Sequence, residues 1–166
     1  GIPTYGTMAH SFVMAYDSEH EAFQAFQKVF PDNTALLIDT YDTIEGARTA
    51  VSLDISPTLV RLDSGDLLEL SKKVRRILDE AGYGSTKIFA SGDLNEYRIK
   101  ELVSQGAPID AFGVGTELTT SREDPALPGI YKLVELRRGS QTIPRVKLRP
   151  SKVTIPELKQ GYRVYS

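Results

Sequence analysis

The chain has 166 residues, with 20 Lys and Arg against 22 Asp and Glu, and a formal net charge of -2. Without a basic excess to follow a phosphate backbone, nucleic acid is not expected as a partner. The absence of cysteine excludes disulfides, thiolate nucleophiles and Cys-ligated metal sites. Since no apolar run reaches the ~18 residues of a membrane span, we expect no membrane association and a cytoplasmic location.

From about residue 35 the chain repeats a short apolar run, a loop of small and acidic residues, and a helix. The predicted strands are 35–38, 59–62, 87–90 and 109–112. Short apolar runs bounded by Gly and Asp are typical of strands buried on both faces, and their spacing is that of βα units. The repetition therefore predicts an α/β fold of consecutive parallel units. Polar loops after every strand favour a parallel α/β barrel over a doubly wound sheet.

Apolar residues at helical spacing predict the helices between these strands. Val29, Phe30 and Val103 are among the residues expected to face the core. The predicted helices are 18–30, 44–51, 67–81 and 94–103.

After residue 125 the pattern changes to alternating, half-exposed runs. Residues 130–136 and 145–148 are predicted to be antiparallel strands around a turn at 138–140, and 162–165 is a candidate third strand. The chain is therefore divided into an α/β portion over residues 1–125 and a small antiparallel β appendage over residues 126–166.

Polar residues follow the predicted strands, where parallel α/β proteins bind ligands. Arg61 and Asp63 are two residues apart on a strand, so they point to the same side. The guanidinium can bind a carboxylate or phosphate, and the carboxylate can bind hydroxyls or a magnesium-bound water; an Arg–Asp pair that closes the barrel is the alternative. Asp66 is interpreted as a helix cap.

Further strand-end loops carry carboxylates and glycines. Asp39, Asp42 and Asp93 either contact a ligand such as a ribose or cap the helix that follows. Gly113 and Gly115 lie in a loop whose amides suit a phosphate, a tight turn being the alternative. Such a set suits a sugar phosphate or pyrophosphate with a divalent metal, and it lacks the serine–histidine–acid set of a hydrolase.

The chain has two histidines, too few for a zinc site without cysteine. His20 lies on the polar side of a predicted helix and is expected to be solvated. His10 follows a glycine turn and opens an apolar helix. It is either a packed or capping residue, or a group for nucleophilic or proton-transfer chemistry.

Taken together, six phrases in chain order resemble the nicotinate phosphoribosyltransferase family. These phrases are 6–11, 37–43, 60–66, 90–93, 112–116 and 131–134. The resemblance implies an enzyme of NAD biosynthesis that forms nicotinate mononucleotide and pyrophosphate from nicotinate and phosphoribosyl pyrophosphate. It further implies Mg²⁺, ATP as a co-substrate through a phosphorylated histidine, a homodimer, and an incomplete α/β barrel of the type II phosphoribosyltransferase kind.

The resemblance also assigns roles to residues. His10 matches the phosphorylated histidine, and Arg61 and Asp63 match a strand-end pair near the nicotinate ring and the ribose. These three residues are expected to be catalytic, and the metal ligands are left open. The expected substrate-binding residues are Asp39, Ser64, Gly92, Asp93, Gly113, Gly115 and Thr116.

Two alternatives remain beside this interpretation. One is a nicotinamide- or quinolinate-type relative, although quinolinate needs more clustered cations than these loops show. The other is a non-catalytic chain that binds a phosphosugar or a partner. Compared with the family, the chain begins just before His10, without the upstream Glu-Phe-Gly-x-Arg-Arg motif, and has Glu157 where glycine is usual. Association with a chain that supplies the N-terminal part is therefore the alternative to a homodimer.

Overall fold

The structure is a computed structural model that describes residues 6–53, 55–120, 127, 129–147 and 155–164. A short 3₁₀ turn at Pro31–Asn33 separates the second helix from the first strand. The helices are α1 (His10–Met14), α2 (Glu19–Val29), α3 (Thr43–Ser52), α4 (Leu67–Glu80), α5 (Glu96–Ser104) and α6 (Thr116–Thr119). The strands are β1 (Ala35–Leu37), β2 (Leu59–Leu62), β3 (Lys87–Ala90), β4 (Ala111–Phe112), β5 (Glu135–Arg138) and β6 (Gln141–Pro144).

The larger sheet has four parallel strands in the order β1-β2-β3-β4. Its register aligns Leu37 with Arg61 and Arg61 with Phe89, so these side chains share one face. A doubly wound sheet reverses its strand order at a switch point, whereas this order follows the chain as in a barrel wall. Within the described residues the four strands do not close on themselves. The prediction of an incomplete parallel α/β barrel with a small antiparallel appendage is confirmed.

The core lies between this sheet and the helices. Right-handed crossovers between neighbouring parallel strands place the helices on one face of the sheet, and α2, α3 and α4 pack side by side there. The strand residues that alternate with Arg61 are fully buried under them. These residues are Leu36, Val60, Leu62, Ile88 and Ala90.

The helices lie close to their predicted positions, but three apolar residues expected in the core are exposed. Val29, in the last turn of α2, is 68% exposed, and Phe30 has already left helical backbone geometry at φ -127° and ψ 63°. Val103 is 61% exposed because Leu102 takes the buried position of α5. Adjacent helical residues are separated by about 100° and cannot both face the core.

Strand β4 begins later than predicted for a local reason. The carboxylate of Asp110 accepts the hydrogen bond of the Ile88 N–H at 2.7 Å. A side chain thus occupies a ladder position that a strand carbonyl would otherwise fill, and regular pairing starts at Ala111.

The C-terminal part contains one antiparallel hairpin, in which β5 pairs with β6. Its strands adjoin the turn directly, since Arg138 pairs with Gln141 across Gly139 and Ser140. The predicted strands 130–136 and 145–148 are therefore displaced away from the turn, because turn length sets the register of a hairpin. Residues 162–164 are not a strand; Leu148 and Tyr165 lie outside the described residues. The domain division at residue 125 stays a prediction.

None of the described helices has the length and apolar character that a membrane crossing requires.

Candidate active site

The predicted site residues meet at one edge of the sheet, where the carboxyl ends of its parallel strands lie. A cavity of about 580 Å³ opens there. It brings together the site residues predicted from β2, β3 and β4, whereas Ser64 lines an adjoining cavity of about 390 Å³. The residues around the larger cavity include Arg61, Asp63, Ser91, Gly92, Asp93, Gly113, Gly115 and Thr116.

Arg61 and Asp63 form an ion pair at the wall of this cavity. Arg61 Nη2 donates to Asp63 Oδ1 at 2.6 Å, and Arg61 Nε donates to Ser91 Oγ at 2.8 Å. The Ser91 hydroxyl donates in turn to Asp63 Oδ1 at 2.7 Å. Because a guanidinium has five N–H donors, this pairing leaves donor capacity toward the cavity. Ser91 was not predicted as a site residue, although it lies in one of the phrases that carry the resemblance.

The groups around Asp63 keep its carboxylate ionised. Burial disfavours its charge, but the hydrogen bonds from the Ser91 hydroxyl and from Arg61, together with the positive charge of Arg61, hold the pKa of Asp63 well below its usual range. The site therefore presents a fixed negative charge beside a fixed positive one.

Asp39 acts on the neighbouring loop rather than lining the larger cavity. Its side chain is fully buried, and Oδ2 accepts hydrogen bonds from the Asp63 N–H at 2.9 Å and from the Ser64 hydroxyl at 2.8 Å. Asp42, by contrast, caps α3 through the N–H groups of Ile44 and Glu45. Of the two alternatives left open, capping is therefore observed for Asp42, whereas Asp39 binds the loop of Asp63 and Ser64 and does not cap α3.

The loops after β3 and β4 approach other backbone and ring atoms closely. Gly92 has φ +90° and Asp93 has φ +50°, and α5 is capped by Asn95, so Asp93 is not its cap. A Cβ atom on Gly113 would lie 2.6 Å from the Phe89 ring, so a larger residue there would require the ring to shift. Gly115 precedes the short helix α6.

His10 lies at the rim of the site and contacts four groups. Nδ1 is 3.0 Å from Thr40 Oγ1, and Nε2 is 2.7 Å from Lys147 Nζ. The same Nε2 lies 3.5 Å from Asp63 Oδ2 and 3.7 Å from Asp39 Oδ1. His10 is thus held among polar side chains at the strand ends. His20 is exposed, as predicted.

Besides Ser91, three polar residues near the site were missed. Thr40 belongs to a phrase that carries the resemblance, but nothing in the phrase indicates a histidine contact. Lys147 lies in a run interpreted as a strand. Glu19 lies at the start of α2, where burial, with Asp39 and Asp42 nearby, raises its pKa to about 7.

The described residues contain no group of three or more His, Asp and Glu arranged to hold a metal ion. Magnesium is usually bound by one or two carboxylates together with substrate phosphates. Asp63 and Asp93 both line the larger cavity and could serve in that way. These carboxylates thus fit an ion that arrives on a phosphate ligand.

Comparison with known proteins places this geometry in a family. Residues 1–123 match the family described as quinolinate phosphoribosyl transferase, C-terminal domain. The chain is 48% identical to the nicotinate phosphoribosyltransferase pncB2 of Mycobacterium tuberculosis over 98% of its own length and 35% of that protein. It thus spans about a third of the length of the curated relatives it matches.

Two solved structures share the fold. A nicotinate-nucleotide pyrophosphorylase from Pyrococcus furiosus matches 69% of this chain and 31% of its own, with a TM-score of 0.60 and 35% identity. A nicotinate phosphoribosyltransferase from Porphyromonas gingivalis matches 90% of this chain and 43% of its own, with a TM-score of 0.70 and 24% identity. The chain therefore belongs to the quinolinate phosphoribosyl transferase C-terminal domain family, and it resembles the C-terminal part of nicotinate phosphoribosyltransferases.

Proposed function

We propose that this chain carries the nicotinate and phosphoribosyl site of a nicotinate phosphoribosyltransferase, an enzyme of NAD biosynthesis. One observation supports this most strongly: an Arg–Asp pair, a further carboxylate and two glycine loops converge on one cavity at the strand ends. The cavity thus offers a cation for a carboxylate, anions for sugar hydroxyls and backbone for a phosphate.

Each group has a distinct role in this proposal. Arg61 binds the nicotinate carboxylate, since a guanidinium matches a carboxylate with two parallel hydrogen bonds. Asp63 and Asp93 bind the ribose and stabilise positive charge on it as pyrophosphate leaves. Gly113, Gly115 and Thr116 contact the 5′-phosphate. Holding base and sugar in one cavity lowers the entropic cost of their reaction.

Mg²⁺ and ATP belong to the same proposal. Mg²⁺ neutralises charge on the pyrophosphate when it is bound, and Asp63 and Asp93 are the cavity carboxylates that would hold it. His10 accepts the phosphoryl group from ATP and so couples ATP hydrolysis to the transfer. A homodimer, or a chain that supplies further residues of the site, completes the enzyme in the cytoplasm.

The test combines calorimetry with phosphoribosyl pyrophosphate and Mg²⁺ and a turnover assay with nicotinate, nicotinamide and quinolinate. We expect phosphoribosyl pyrophosphate to bind and nicotinate to be preferred. Preference for nicotinamide or quinolinate would contradict the choice of base. If phosphoribosyl pyrophosphate binds but no turnover occurs, either without ATP or with it, the result would instead favour the non-catalytic alternative.

Two variants assign the roles of the site. Arg61→Ala should weaken nicotinate binding by about tenfold or more, the usual loss for a charge-assisted hydrogen bond. The matched change Arg48→Ala, on an exposed arginine of α3, should not. His10→Ala should abolish stimulation by ATP and leave weak ATP-independent turnover. ATP stimulation that survives this change would show that the role given to His10 is wrong.

A further inference from the structure

The segment that follows β6 returns to the helix that carries His10. Arg145 Nη2 donates to Asp17 Oδ1 at 2.9 Å, and Arg138 Nη1 donates to Asp17 Oδ2 at the same distance. Two arginines thus join the hairpin to the loop between α1 and α2. Two residues after Arg145, Lys147 reaches His10 Nε2 at 2.7 Å.

This contact restricts how His10 can be protonated. A lysine ammonium donates hydrogen bonds and cannot accept one. Its approach to Nε2 therefore requires a lone pair on that nitrogen, because a proton on Nε2 would face the ammonium protons. The ring proton then lies on Nδ1, which donates to Thr40 Oγ1 at 3.0 Å.

The acidic groups around His10 favour the opposite arrangement. Asp63 and Asp39 lie 3.5 and 3.7 Å from Nε2, and Arg61 engages Asp63 on its other side. Without Lys147, a proton on Nε2 would have two carboxylates to face. Lys147 is thus the contact among these that selects an unprotonated Nε2.

We propose that Lys147 is a positioning residue that holds His10 in the Nδ1–H tautomer, with the Nε2 lone pair directed to the strand-end site. The assignment concerns a residue outside the α/β core, so it gives the segment after β6 a role in the chemistry of the site. Its functional consequence rests on the proposed function, but its structural content does not.

In the proposed reaction, Nε2 is the nitrogen that attacks. The Nε2–phosphorus bond forms while the bond between the γ-phosphorus of ATP and its bridging oxygen breaks, and the electron pair leaves with ADP. The Nδ1 proton stays on the ring, bonded to Thr40. The hydrogen bond from Lys147 to Nε2 breaks as the phosphorus approaches, and the ammonium then lies beside the transferred phosphoryl oxygens.

The experiment reads the tautomer directly. Two-bond ¹H–¹⁵N NMR spectra of the labelled chain report which imidazole nitrogen carries the proton. The spectra are recorded at about pH 8.5, which lies about two units above the ordinary imidazole pKa. His20, which is exposed, is the internal reference. The variants are Lys147→Met, Lys147→Arg, which keeps a donor, and Lys73→Met, which removes an exposed lysine of α4.

His10 should show an unprotonated Nε2 in the unaltered chain and in the variants Lys147→Arg and Lys73→Met. In Lys147→Met the tautomer ratio should shift about tenfold toward Nε2–H, the usual effect of losing one hydrogen bond from a charged donor. An unchanged ratio in Lys147→Met, or a protonated Nε2 in the unaltered chain, would overturn the assignment.

Thr40→Val provides a second test, which can be made even if the Lys147→Met variant fails to fold. Because Lys147 remains, Thr40→Val should keep Nε2 unprotonated. A shift toward Nε2–H in this variant would make Thr40 the determinant and refute the role of Lys147. A chain without turnover but with the Nδ1–H tautomer contradicts only the proposed function, and an active chain with a protonated Nε2 contradicts only this inference.

Discussion

Gly92 lies so close to Asp63 that a Cβ atom on Gly92 would overlap the main-chain oxygen of Asp63. The two residues belong to the loops after β3 and β2, and this approach brings the two loops together at the wall of the cavity. Gly92 also has φ +90°, where a side chain is strained. One glycine thus meets two separate requirements.

Gly92→Ala should therefore destabilise the chain by more than the strain of a left-handed backbone alone would. Gly82 has a similar φ of +84° but has open space around it, so Gly82→Ala measures the strain alone, about 1–2 kcal/mol. Gly92→Ala adds the overlap with Asp63, about 1–3 kcal/mol more. Urea unfolding of both variants gives the difference. Equal losses in the two variants would show that the loops can separate without cost.

Asp66→Ala should remove a helix cap and leave the site intact. The Asp66 carboxylate accepts hydrogen bonds from the N–H groups of Leu68 and Glu69 at the start of α4. Its loss should lower the free energy of unfolding by about 1 kcal/mol without changing the affinity for phosphoribosyl pyrophosphate. Glu80→Ala, at the exposed end of the same helix, removes an equal charge without a cap. A large loss of affinity in Asp66→Ala would place Asp66 in the site.

Glu19 should make stability fall as the pH rises through neutrality. Its pKa in the folded chain, about 7, lies above the ordinary value of 4.5, so the folded state holds this proton more tightly than the unfolded state. That contribution is complete below the ordinary pKa and is lost as the pH rises through about 7.

Glu19→Gln keeps a neutral group at every pH. It should therefore be more stable than the unaltered chain at pH 8, by about 1 kcal/mol because the side chain is only partly buried, and of similar stability at pH 4. Urea unfolding at the two pH values measures this. Glu21→Gln, in the same turn but exposed, controls for the lost negative charge. A constant difference between the two pH values would contradict the assignment.

Asp17→Ala should weaken the attachment of the hairpin to the loop between α1 and α2. Hydrogen bonds from Arg138 and Arg145 lower the pKa of Asp17, so the ion pairs persist until acid protonates it. Amide exchange in β5 and β6 should rise several-fold in this variant, and high salt should produce part of the same change because the group is exposed.

Glu135→Gln is the matched control for that experiment. It removes the partner of the exposed Arg137 within β5 without touching Asp17. Faster exchange in both variants alike would mean that the ion pairs with Asp17 do not hold the hairpin in place.

Local patterns predicted those features whose physics is local. Arg61 and Asp63 share one side because strand residues alternate with a period of two, and the structure pairs them. Asp66 precedes an amphipathic helix, and it caps that helix. The order of the strands followed from their βα spacing, since such units add neighbouring parallel strands.

Other features depended on contacts between distant residues. Asp39 and Asp42 look alike as strand-end carboxylates, yet one binds the loop of Asp63 and Ser64 and the other caps α3. Lys147 is 137 residues from His10 in the chain, and no periodicity indicates such a contact. Val29 is apolar at a helical position, but α2 ends there with its side chain exposed.

The amino-acid sequence by itself determined consecutive parallel α/β units, their strand order and the edge at which the site forms, because alternation, helical period and βα spacing act over short stretches of chain. Only the tertiary structure decided the partners of His10, the division of work between Asp39 and Asp42, and the approach of the hairpin through Asp17. Those contacts depend on the register and packing of separate elements, which bring side chains together across the fold.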